Sequence, residues 1–406
     1  MAAFNTLDDL PDGQRVLVRL DLNSPVEDGE VQDNRRFGRH AKTVAELADR
    51  DCAVVLMAHQ GRPGRDTFVS LDQHADILGS YIEREVRFVA DTYGDEALAA
   101  IDDLDGGEAL LLENTRMCDE ELPEEDPEVK AETEFVKALA PHFDAYVNDA
   151  YSAAHRSHAS LVGFPLVLPA YAGRVMETEY EANTAIAERE FDGQVTMAVG
   201  GTKATDIIDV MGHIGDKVDD FLLGGVAGQL FLRAKGYPLG HDTAPDMDLF
   251  DSQYEETKDQ IEAILDERGD QVTLAHDMAY EGEDGDRVEV DVDELADNDI
   301  DFLDIGTDTA EGYADVLRES DAAFVKGALG VFEDERFSVG TVTVLEAIAE
   351  TDCFSVVGGG DTSRAIGMYG MSEDDFGHVS IAGGAYIRAL TGADLAGVQA
   401  LERAAE

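Results

Sequence analysis

The 406-residue chain has little positive charge. It contains 30 lysine and arginine residues, only eight of them lysines, against 88 aspartate and glutamate residues, so its formal net charge is -58. A surface this negative repels nucleic acid and anionic lipid, and we therefore expect neither a nucleic-acid nor a membrane partner. Apolar segments recur along the whole chain, which argues against disorder. The spread of acidic residues over every segment is typical of adaptation to high salt, where counterions screen the repulsion between carboxylates.

Cysteines and long apolar runs are also scarce. Cys52, Cys118 and Cys353 are far apart and form no C-x-x-C motif, so we expect buried, reduced thiols rather than a disulfide or a metal site. No apolar run approaches the ~18 residues needed to cross a bilayer. The N-terminal stretch MAAFNTLDDLPDG lacks the basic and apolar segments of a signal peptide. These absences favour a cytoplasmic protein.

Two common nucleotide-binding fingerprints are missing. The stretch GGTKAT, residues 200–205, has too few residues between glycine and lysine for a P-loop. No good G-x-G-x-x-G follows a predicted strand, which argues against a nicotinamide-dependent dehydrogenase.

Strand-like apolar runs alternate with helical patterns, which predicts an α/β fold with parallel, doubly wound sheets. The first four runs are RVLVRLDLN (15–23), CAVVLMAH (52–59), EALLLEN (108–114) and AYVNDA (145–150). The length exceeds the roughly 250–300 residues that one core supports, so we expect more than one domain. A segment with two prolines and two glycines, 161–174, interrupts the alternation before a helical pattern at 176–190. We place the domain boundary there, with 1–172 in the N-terminal domain, 173–386 in the C-terminal domain and the helix as connector.

Polar residues follow each of these four strands. They are Asp21 and Asn23, then His59 and Arg62, then Asn114 and Arg116, then His155, Arg156 and His158, with Arg36 at the start of the first helical pattern. Because the carboxyl ends of parallel strands share one edge, we expect these groups to converge there. The planar arginine side chain binds carboxylate or phosphate bidentately, so the set predicts a site for a small, multiply charged anion. The alternatives are surface ion pairs with local carboxylates and, for HRSH, a zinc site that lacks further ligands.

In the second half, glycine follows strand after strand. The runs are VTMAVGG (195–201), FLLGG (221–225), AFVKGALG (323–330), FSVVGGG (354–360) and VSIAGG (379–384). Glycine lets the backbone approach a phosphate, and a helix N-terminus adds free N–H groups, so five such turns predict a polyanion site. Asp361 and Thr362 either cap a helix or, for Asp361, help to hold Mg²⁺ carried by nucleotide phosphates. Glu333 is a candidate acceptor for ribose hydroxyls.

Ten blocks of this sequence resemble the phosphoglycerate kinase family in their order and nearly in their spacing. They are RLDLNSP, DNRRF, AHQGRP, LLENTR, NDAYSAAHRSHAS, VGGTKATD, FLDIG, GVFEDERFSVGT, GGGDTSRA and HVSIAGGA. The acidic bias is similar to that of halophilic archaeal members. The resemblance implies two Rossmann-like domains that face a cleft and close over it, with about 387–406 returning to the N-terminal domain. It implies reversible transfer of the 1-phosphoryl group of 1,3-bisphosphoglycerate to MgADP, giving 3-phosphoglycerate and MgATP, by a monomer.

The resemblance also implies residue roles. The residues that match the 3-phosphoglycerate site are Asp21, Asn23, Arg36, His59, Gln60, Gly61, Arg62, Arg116 and Arg156. The residues that match the nucleotide site are Gly200, Gly201, Lys203, Glu333, Gly358, Gly359, Gly360, Asp361 and Thr362, with Asp361 toward Mg²⁺. Arg36 and Lys203 are expected to act on the transferring phosphoryl group from the substrate side and the nucleotide side.

The chain departs from the family where positive charge usually occurs. Ile207 replaces a second lysine four residues after Lys203, Thr178 lies near the usual place of another lysine, and Ala328 replaces a proline. The glycine-turn N–H groups, Arg36 and Mg²⁺ must then neutralise more charge, and Lys326 is a hypothetical substitute cation. The main alternative function is a non-catalytic nucleotide-binding protein on the same fold.

Overall fold

The computed structural model describes residues 4–239, 250–295 and 300–406. The chain divides into two compact units, Met1–Glu181 with Asp394–Glu406, and Ala182–Ala393. These limits, at 181 and 393, lie beyond the predicted boundaries at 172 and 386, and the assignment of separate domains remains a prediction. Among the described helices, none combines the length and the apolar character needed to cross a membrane.

The first unit, as far as the structure describes it, contains eight strands. They are β1 Arg15–Arg19, β2 Val26–Glu27, β3 Glu30–Val31, β4 Ala53–Met57, β5 Val86–Phe88, β6 Ala109–Leu111, β7 Ala145–Asn148 and β8 Ala170–Ala172. Six of them form a parallel sheet in the order β5-β6-β4-β1-β7-β8, and β2 pairs with β3 as a short antiparallel ribbon. The central strand β4 is buried at every residue, as expected for a parallel strand covered on both faces.

The helices of the first unit connect these strands. They are α1 Arg35–Asp49, α2 Asp72–Ile82, α3 Asp95–Asp102, α4 Pro127–Ala131, α5 Glu134–Leu139 and α6 Arg174–Glu188, the last of which continues into the second unit. The apolar face of α1 supplies Phe37, Val44 and Leu47 to the core beneath β1 and β4. Helix packing therefore fixes the start of α1 against the carboxyl end of β1, where Arg36 is located.

The described part of the second unit contains nine strands in two sheets. They are β9 Val195–Val199, β10 Asp220–Leu223, β11 Val272–Thr273, β12 Asp277–Glu281, β13 Arg287–Asp291, β14 Phe302–Ile305, β15 Ala322–Lys326, β16 Phe354–Gly358 and β17 His378–Val379. Six of them form a parallel sheet in the order β11-β10-β9-β15-β16-β17. The α/β class with parallel sheets is thus confirmed for both units.

The remaining helices complete the described chain. They are α7 Ala204–Ile214, α8 Gly225–Ala234, α9 Asp251–Arg268, α10 Thr307–Arg318, α11 Val339–Ala349, α12 Gly360–Met368, α13 Gly384–Leu390 and α14 Ala396–Ala405. Helix α14 belongs to the first unit, where Ala400 packs with Leu161 and Val162.

A second sheet, with β12 between β13 and β14, is antiparallel and was not expected from the sequence. Its outer strand RVEVD is mostly exposed, so it lacks the apolar run that marked the parallel strands. A strand with no buried residue gives little sequence signal.

Strand order reverses direction once in each parallel sheet. In the first unit the chain moves from β1 to β4 on one side and later adds β7 on the other side of β1. In the second unit the same reversal lies between β9 and β15. Ligands of open α/β sheets bind at the carboxyl ends of strands beside such a reversal, so each unit has one favoured site.

Candidate active site

Asp21 lies at the centre of the predicted anion site in the first unit, just beyond β1, and it is buried. Its Oδ2 accepts hydrogen bonds from the Arg36 guanidinium and the Ser152 hydroxyl, and its Oδ1 accepts one from the Asn23 N–H at 3.1 Å. Burial alone would raise the pKa of Asp21, but the charge of Arg36 and these donors outweigh burial and hold the pKa well below its usual range. The ionised carboxylate therefore fixes the position of Arg36.

Arg36 owes its place to the start of α1. The side chain of Asn34 caps the helix and accepts the Arg36 N–H at 2.9 Å. The Arg36 side chain is 25% exposed, so it is held by Asp21 while part of its guanidinium faces solvent. A cation that is fixed but still accessible is suited to binding an anion with little loss of side-chain freedom.

His59 follows β4 and is uncharged. Burial lowers the pKa of its imidazole well below the usual value, and Asp21 opposes that shift. Three guanidinium groups reinforce it, those of Arg19, Arg116 and Arg36. Nη2 of Arg19 lies 3.1 Å from Nδ1 of His59, and because arginine only donates, Nδ1 accepts and the ring proton is on Nε2. His59 therefore contributes an N–H donor rather than a charge.

The loop after β4 is fixed through Gln60. Its buried amide donates to the carbonyl oxygens of Ser24 at 2.9 Å and Thr67 at 3.0 Å. Its oxygen accepts the Ser24 N–H at 2.9 Å and pairs with Nε2 of His74 at 3.0 Å. Every donor and acceptor of this side chain is thus in use, and these bonds position the loop after β4, while the substrate-binding role of Gln60 stays a prediction.

Gly61 joins two of the predicted residues. Its φ is +63°, and a Cβ there would overlap the backbone of Thr67, so only glycine fits. Its N–H donates to Oδ1 of Asn23 at 2.8 Å, and its carbonyl accepts a hydrogen bond from the Arg116 guanidinium. The loops after three neighbouring strands are linked at this residue.

Arg116 and Arg62 form no ion pair with a carboxylate of the chain that the structure describes. Nε of Arg116 is buried and unpaired. Burial and the charge of Arg19 lower the pKa of Arg116 to about 10, which still leaves it protonated at neutral pH. Arg62 is exposed and close enough to contribute to that shift. For these two residues the alternative of local ion pairing is not supported.

Arg156 and His158 belong to the HRSH motif. Nη1 of Arg156 lies 3.4 Å from Oε1 of Glu124, with both side chains more than 40% exposed, so this arginine does pair locally. His158 is buried, and burial together with neighbouring arginines lowers its pKa to about 3. Its ring lies 3.8 Å from Glu121 and 3.6 Å from Glu124.

The zinc alternative for HRSH finds no support in the structure. Within residues 4–239, 250–295 and 300–406, the group of potential metal ligands brought together is His276, Asp277 and Asp308, far along the chain from this motif. Asp277 accepts hydrogen bonds from the Thr309 N–H at 2.9 Å and the Asp308 N–H at 3.2 Å, so it satisfies free N–H groups in the first turn of α10.

Several residues of this edge were missed by sequence reasoning. They are Arg19, Ser152, His40, Asp149 and Glu121. Arg19 donates to Ser160 Oγ at 2.8 Å, and that hydroxyl donates to the buried Glu121 at 2.6 Å. A lone charge inside the apolar run RVLVRL is the signal that identifies Arg19. Nothing in the sequence links His40 to Asp149, whose side chains meet at 2.8 Å.

In the second unit, glycine turns lie side by side at the carboxyl edge of the sheet. The glycine turns are Gly200–Gly201 after β9, Gly327 after β15 and Gly359–Gly360 after β16. The Gly201 N–H donates to the Ala328 carbonyl at 2.8 Å. A Cβ at Gly200 would overlap that carbonyl, and one at Gly327, where φ is +81°, would lie 2.5 Å from the Gly200 oxygen. The backbones touch directly, which leaves no room for side chains.

Lys203 follows the first glycine turn and is the N-cap residue of α7. Its side chain is exposed, makes no capping hydrogen bond, and has no ion-pair partner within the described ranges. Ile207, one turn later, is fully buried in the core. A lysine at Ile207 would put an unpaired charge into apolar surroundings, so this part of α7 offers no second cation.

Helix α12 begins at Gly360 with Gly359 as N-cap residue and without any side-chain cap. The alternative that Asp361 or Thr362 caps the helix is therefore wrong. Asp361 is exposed, whereas Thr362 is buried and its hydroxyl donates to the Gly358 carbonyl at 3.3 Å. Gly358 itself packs against the ring of Tyr386, where a Cβ would not fit. Of these residues, Asp361 presents a side chain to solvent beside the free N–H groups of the helix start.

Glu333 lies in the loop after β15 and pairs with Arg364 of α12 at 3.1 Å. The Arg364 guanidinium also lies 5.4 Å from the centre of the Phe332 ring. The pair joins the predicted ribose acceptor to the helix that starts at the third glycine turn. Arg364 had no sequence signal.

Comparison with known proteins gives a consistent result. The family model described as phosphoglycerate kinase matches residues 7–393. A phosphoglycerate kinase of Haloarcula marismortui is 71% identical over 98% of this chain and 100% of the relative, and one of Halorubrum lacusprofundi is 73% identical over 100% and 99%. A crystal structure of phosphoglycerate kinase from Pyrococcus horikoshii superposes with a TM-score of 0.89 at 32% identity, covering 98% of this chain and 99% of that one.

Proposed function

The chain belongs to the phosphoglycerate kinase family, and we propose that its two sheet edges divide the two substrates between them. It is a phosphotransferase that moves the 1-phosphoryl group of 1,3-bisphosphoglycerate to ADP, giving 3-phosphoglycerate and ATP, and runs the reverse reaction. The observation that carries the division is the convergence of Arg36, His59 and Arg116 at one edge of a chain whose formal net charge is -58.

The first unit binds 3-phosphoglycerate. Arg62 and Arg116 have no carboxylate partner in the described chain, so they are ready to pair with the phosphate or the carboxylate of the substrate. His59 offers Nε2–H to the same anion. Asn23 faces this pocket through its hydrogen bond to Gly61. Arg156 completes the set if its exposed ion pair with Glu124 exchanges for substrate, which costs little because such pairs are weak.

Arg36 acts on the carboxyl end that gives or accepts the phosphoryl group. Phosphoryl transfer has a loose transition state with charge spread over equatorial oxygens, so the protein contributes position and electrostatic stabilisation. The hydrogen bond that the guanidinium donates to Asp21 holds it in position, so no reorganisation is needed when charge develops. No nucleophilic side chain is required by this chemistry.

The second unit binds the nucleotide. The glycine turns allow phosphate oxygens to approach backbone N–H groups at the starts of α7 and α12. Lys203 supplies an exposed cation at the first turn, and Glu333 accepts hydrogen bonds from ribose hydroxyls. Thr362 contributes through its backbone N–H, because its hydroxyl is bonded to Gly358.

Asp361 would hold Mg²⁺ that arrives with the nucleotide. Its exposed carboxylate is the hard oxygen ligand that this ion prefers, and the ion keeps its other positions for phosphate and water. When bound, Mg²⁺ neutralises phosphate charge.

We further propose a cytoplasmic monomer, in keeping with the reduced cysteines and the acidic surface. We also propose that the connector helix, within α6, acts as a hinge between the two units.

The test is formation of 1,3-bisphosphoglycerate from 3-phosphoglycerate and MgATP, coupled to an NADH-consuming dehydrogenase in molar KCl. We expect turnover that requires both substrates. A folded sample that binds MgATP without turnover would instead support the non-catalytic nucleotide-binding alternative. Circular dichroism on the same sample identifies folded protein.

A further inference from the structure

Lys326 is the last residue of β15, and it lies between two glycine turns. In the register of the sheet it pairs with Val199 on one side and with Gly358 on the other. The glycine turns at Gly200–Gly201 and Gly359–Gly360 begin directly after these two partners. Since the strand order reverses between β9 and β15, Lys326 lies where open α/β sheets place their ligands.

The ammonium group of Lys326 is largely enclosed. The side chain is 12% exposed, and Nζ lies 3.4 Å from Oδ2 of Asp206 in the first turn of α7. Burial lowers the pKa of Lys326, Asp206 opposes that shift, Lys203 adds to it and Asp361 opposes it. Lys326 is therefore within electrostatic reach of the residues proposed to contact phosphate and Mg²⁺.

Stability alone does not explain this lysine. Partly buried ion pairs gain little net stability, because the cost of removing both charges from water offsets their attraction. An apolar residue would serve the fold at least as well. The Asp206 side chain is also 34% exposed, so the pair is open to competition by a stronger anion. A phosphate placed between Lys326 and Lys203 would relieve the repulsion between the two ammonium groups.

We propose that Lys326 is a second cation of the nucleotide site, which contacts the phosphate chain beside Lys203 and is held in place by Asp206 until nucleotide binds. The assignment rests on the proposed function, since it requires nucleotide at this edge. It also explains how a chain with Ile207 in the core neutralises the transferring phosphoryl group. The contact is electrostatic, and no bond to Lys326 forms or breaks.

Two variants separate this role from a structural one. Lys326→Met keeps the apolar stem and removes the charge, whereas Asp206→Asn keeps the lysine and removes its competitor. We expect Lys326→Met to weaken MgATP binding about tenfold and to lower kcat about 10²-fold, with the KM for 3-phosphoglycerate unchanged. Asp206→Asn should tighten MgATP binding and lower kcat much less. Lys258→Met, at an exposed lysine paired with Glu255, is the matched control.

The measurements are titrations with MgATP and MgADP, the coupled assay and urea unfolding, all in molar KCl. If the pair is only structural, both variants will lower stability and kcat alike and neither will tighten nucleotide binding, which would overturn the assignment. Wild-type turnover with an unimpaired Lys326→Met and an impaired Lys203→Met would also overturn it, while leaving the proposed function intact. Absence of wild-type turnover would overturn the proposed function itself.

Discussion

The two sheet edges that we propose as anion sites are built by different means. In the first unit, side chains supply the binding groups. Arg36 is fixed by a carboxylate, His59 by a guanidinium and Arg116 by a carbonyl group. In the second unit, the backbone supplies most of the binding groups, because glycine turns lie directly against one another beside the exposed Lys203. A small substrate with a phosphate and a carboxylate needs directional side chains, whereas a phosphate chain can be bound by N–H groups. Backbone N–H groups also supply positive potential in a chain that has few basic residues.

The two units differ in their buried histidines as well. His40, His59, His74 and His158 are buried in the first unit, and no histidine is buried in the described part of the second. Burial lowers the pKa of the His59, His74 and His158 imidazoles, so acid should affect this unit first.

Arg36→Ala should abolish most activity without disturbing the nucleotide edge. We expect kcat to fall by about 10³-fold, because the guanidinium contributes mainly to the transition state. The affinity for MgADP should stay the same. The coupled assay and a MgADP titration measure both effects. Arg84→Ala is the control, since Arg84 is an exposed arginine of the same unit that pairs with Asp49. A loss of MgADP affinity in Arg36→Ala would contradict the division of substrates.

His74 tests the acid sensitivity of the first unit. Burial lowers its pKa to about 4, so between that value and its ordinary value the unfolded chain binds more protons than the folded protein. The stability that the neutral ring confers is fully present above about pH 6.5 and is lost as the pH falls, by about 3 kcal/mol at pH 4. Hydrogen exchange of the β1 and β4 amides measures this loss. His74→Gln, which can still donate to Gln60, should reduce it, and an unchanged pH dependence would refute the explanation.

The sequence was sufficient to predict which residues converge in the first unit. Asp21, His59 and Arg116 follow parallel strands, and strand ends share an edge whatever the exact packing. The partners of these residues were not predictable. Ser152 contacts Asp21 and Arg19 contacts His59, and both contacts depend on side-chain orientations that tertiary packing determines. Gln60 is enclosed by groups from three separate segments.

In the second unit the glycine turns were predictable, and their contacts with one another were not. A glycine in the sequence indicates that another group approaches the backbone closely, but it does not identify that group. For Gly200 the group is the Ala328 carbonyl. The departure at Ile207 was visible in the sequence, but only the structure shows that this position lies in the core. The sheet of β12, β13 and β14 was missed, and its outer strand β13 is mostly exposed, so it lacks the apolar run that predicted the parallel strands.

Gly200→Ala should damage the nucleotide edge alone. The added Cβ overlaps the Ala328 carbonyl, so the turn must move, at a cost of about 1–3 kcal/mol in the free energy of unfolding. MgADP binding should weaken, and 3-phosphoglycerate binding should not. Gly212→Ala is the control, because its Cβ would meet nothing within 4 Å inside α7, and it should stabilise by about 0.5–1 kcal/mol. Equal stability of the two variants would show that the backbone contact is unimportant.

Asp361→Asn should have the smallest effect of the series. It keeps the shape of the side chain and removes one charge, so the KM for MgATP should rise about tenfold and recover in part at high Mg²⁺ concentration. The assay is repeated over a range of Mg²⁺ at fixed ATP. Asp209→Asn, at an exposed aspartate of α7, is the control. A rise in KM that does not depend on Mg²⁺ would assign Asp361 to the phosphates or the helix rather than to the ion.

Equilibrium titration of both substrates into Arg116→Ala and Gly200→Ala, at one KCl concentration, tests the division of substrates most directly. Arg116→Ala should lose affinity for 3-phosphoglycerate and keep its affinity for MgADP, because its guanidinium forms no ion pair with a carboxylate of the described chain and its Nε is unpaired. Gly200→Ala should show the reverse. If either variant, while still folded, loses affinity for both substrates to the same extent, the two edges do not bind the substrates separately.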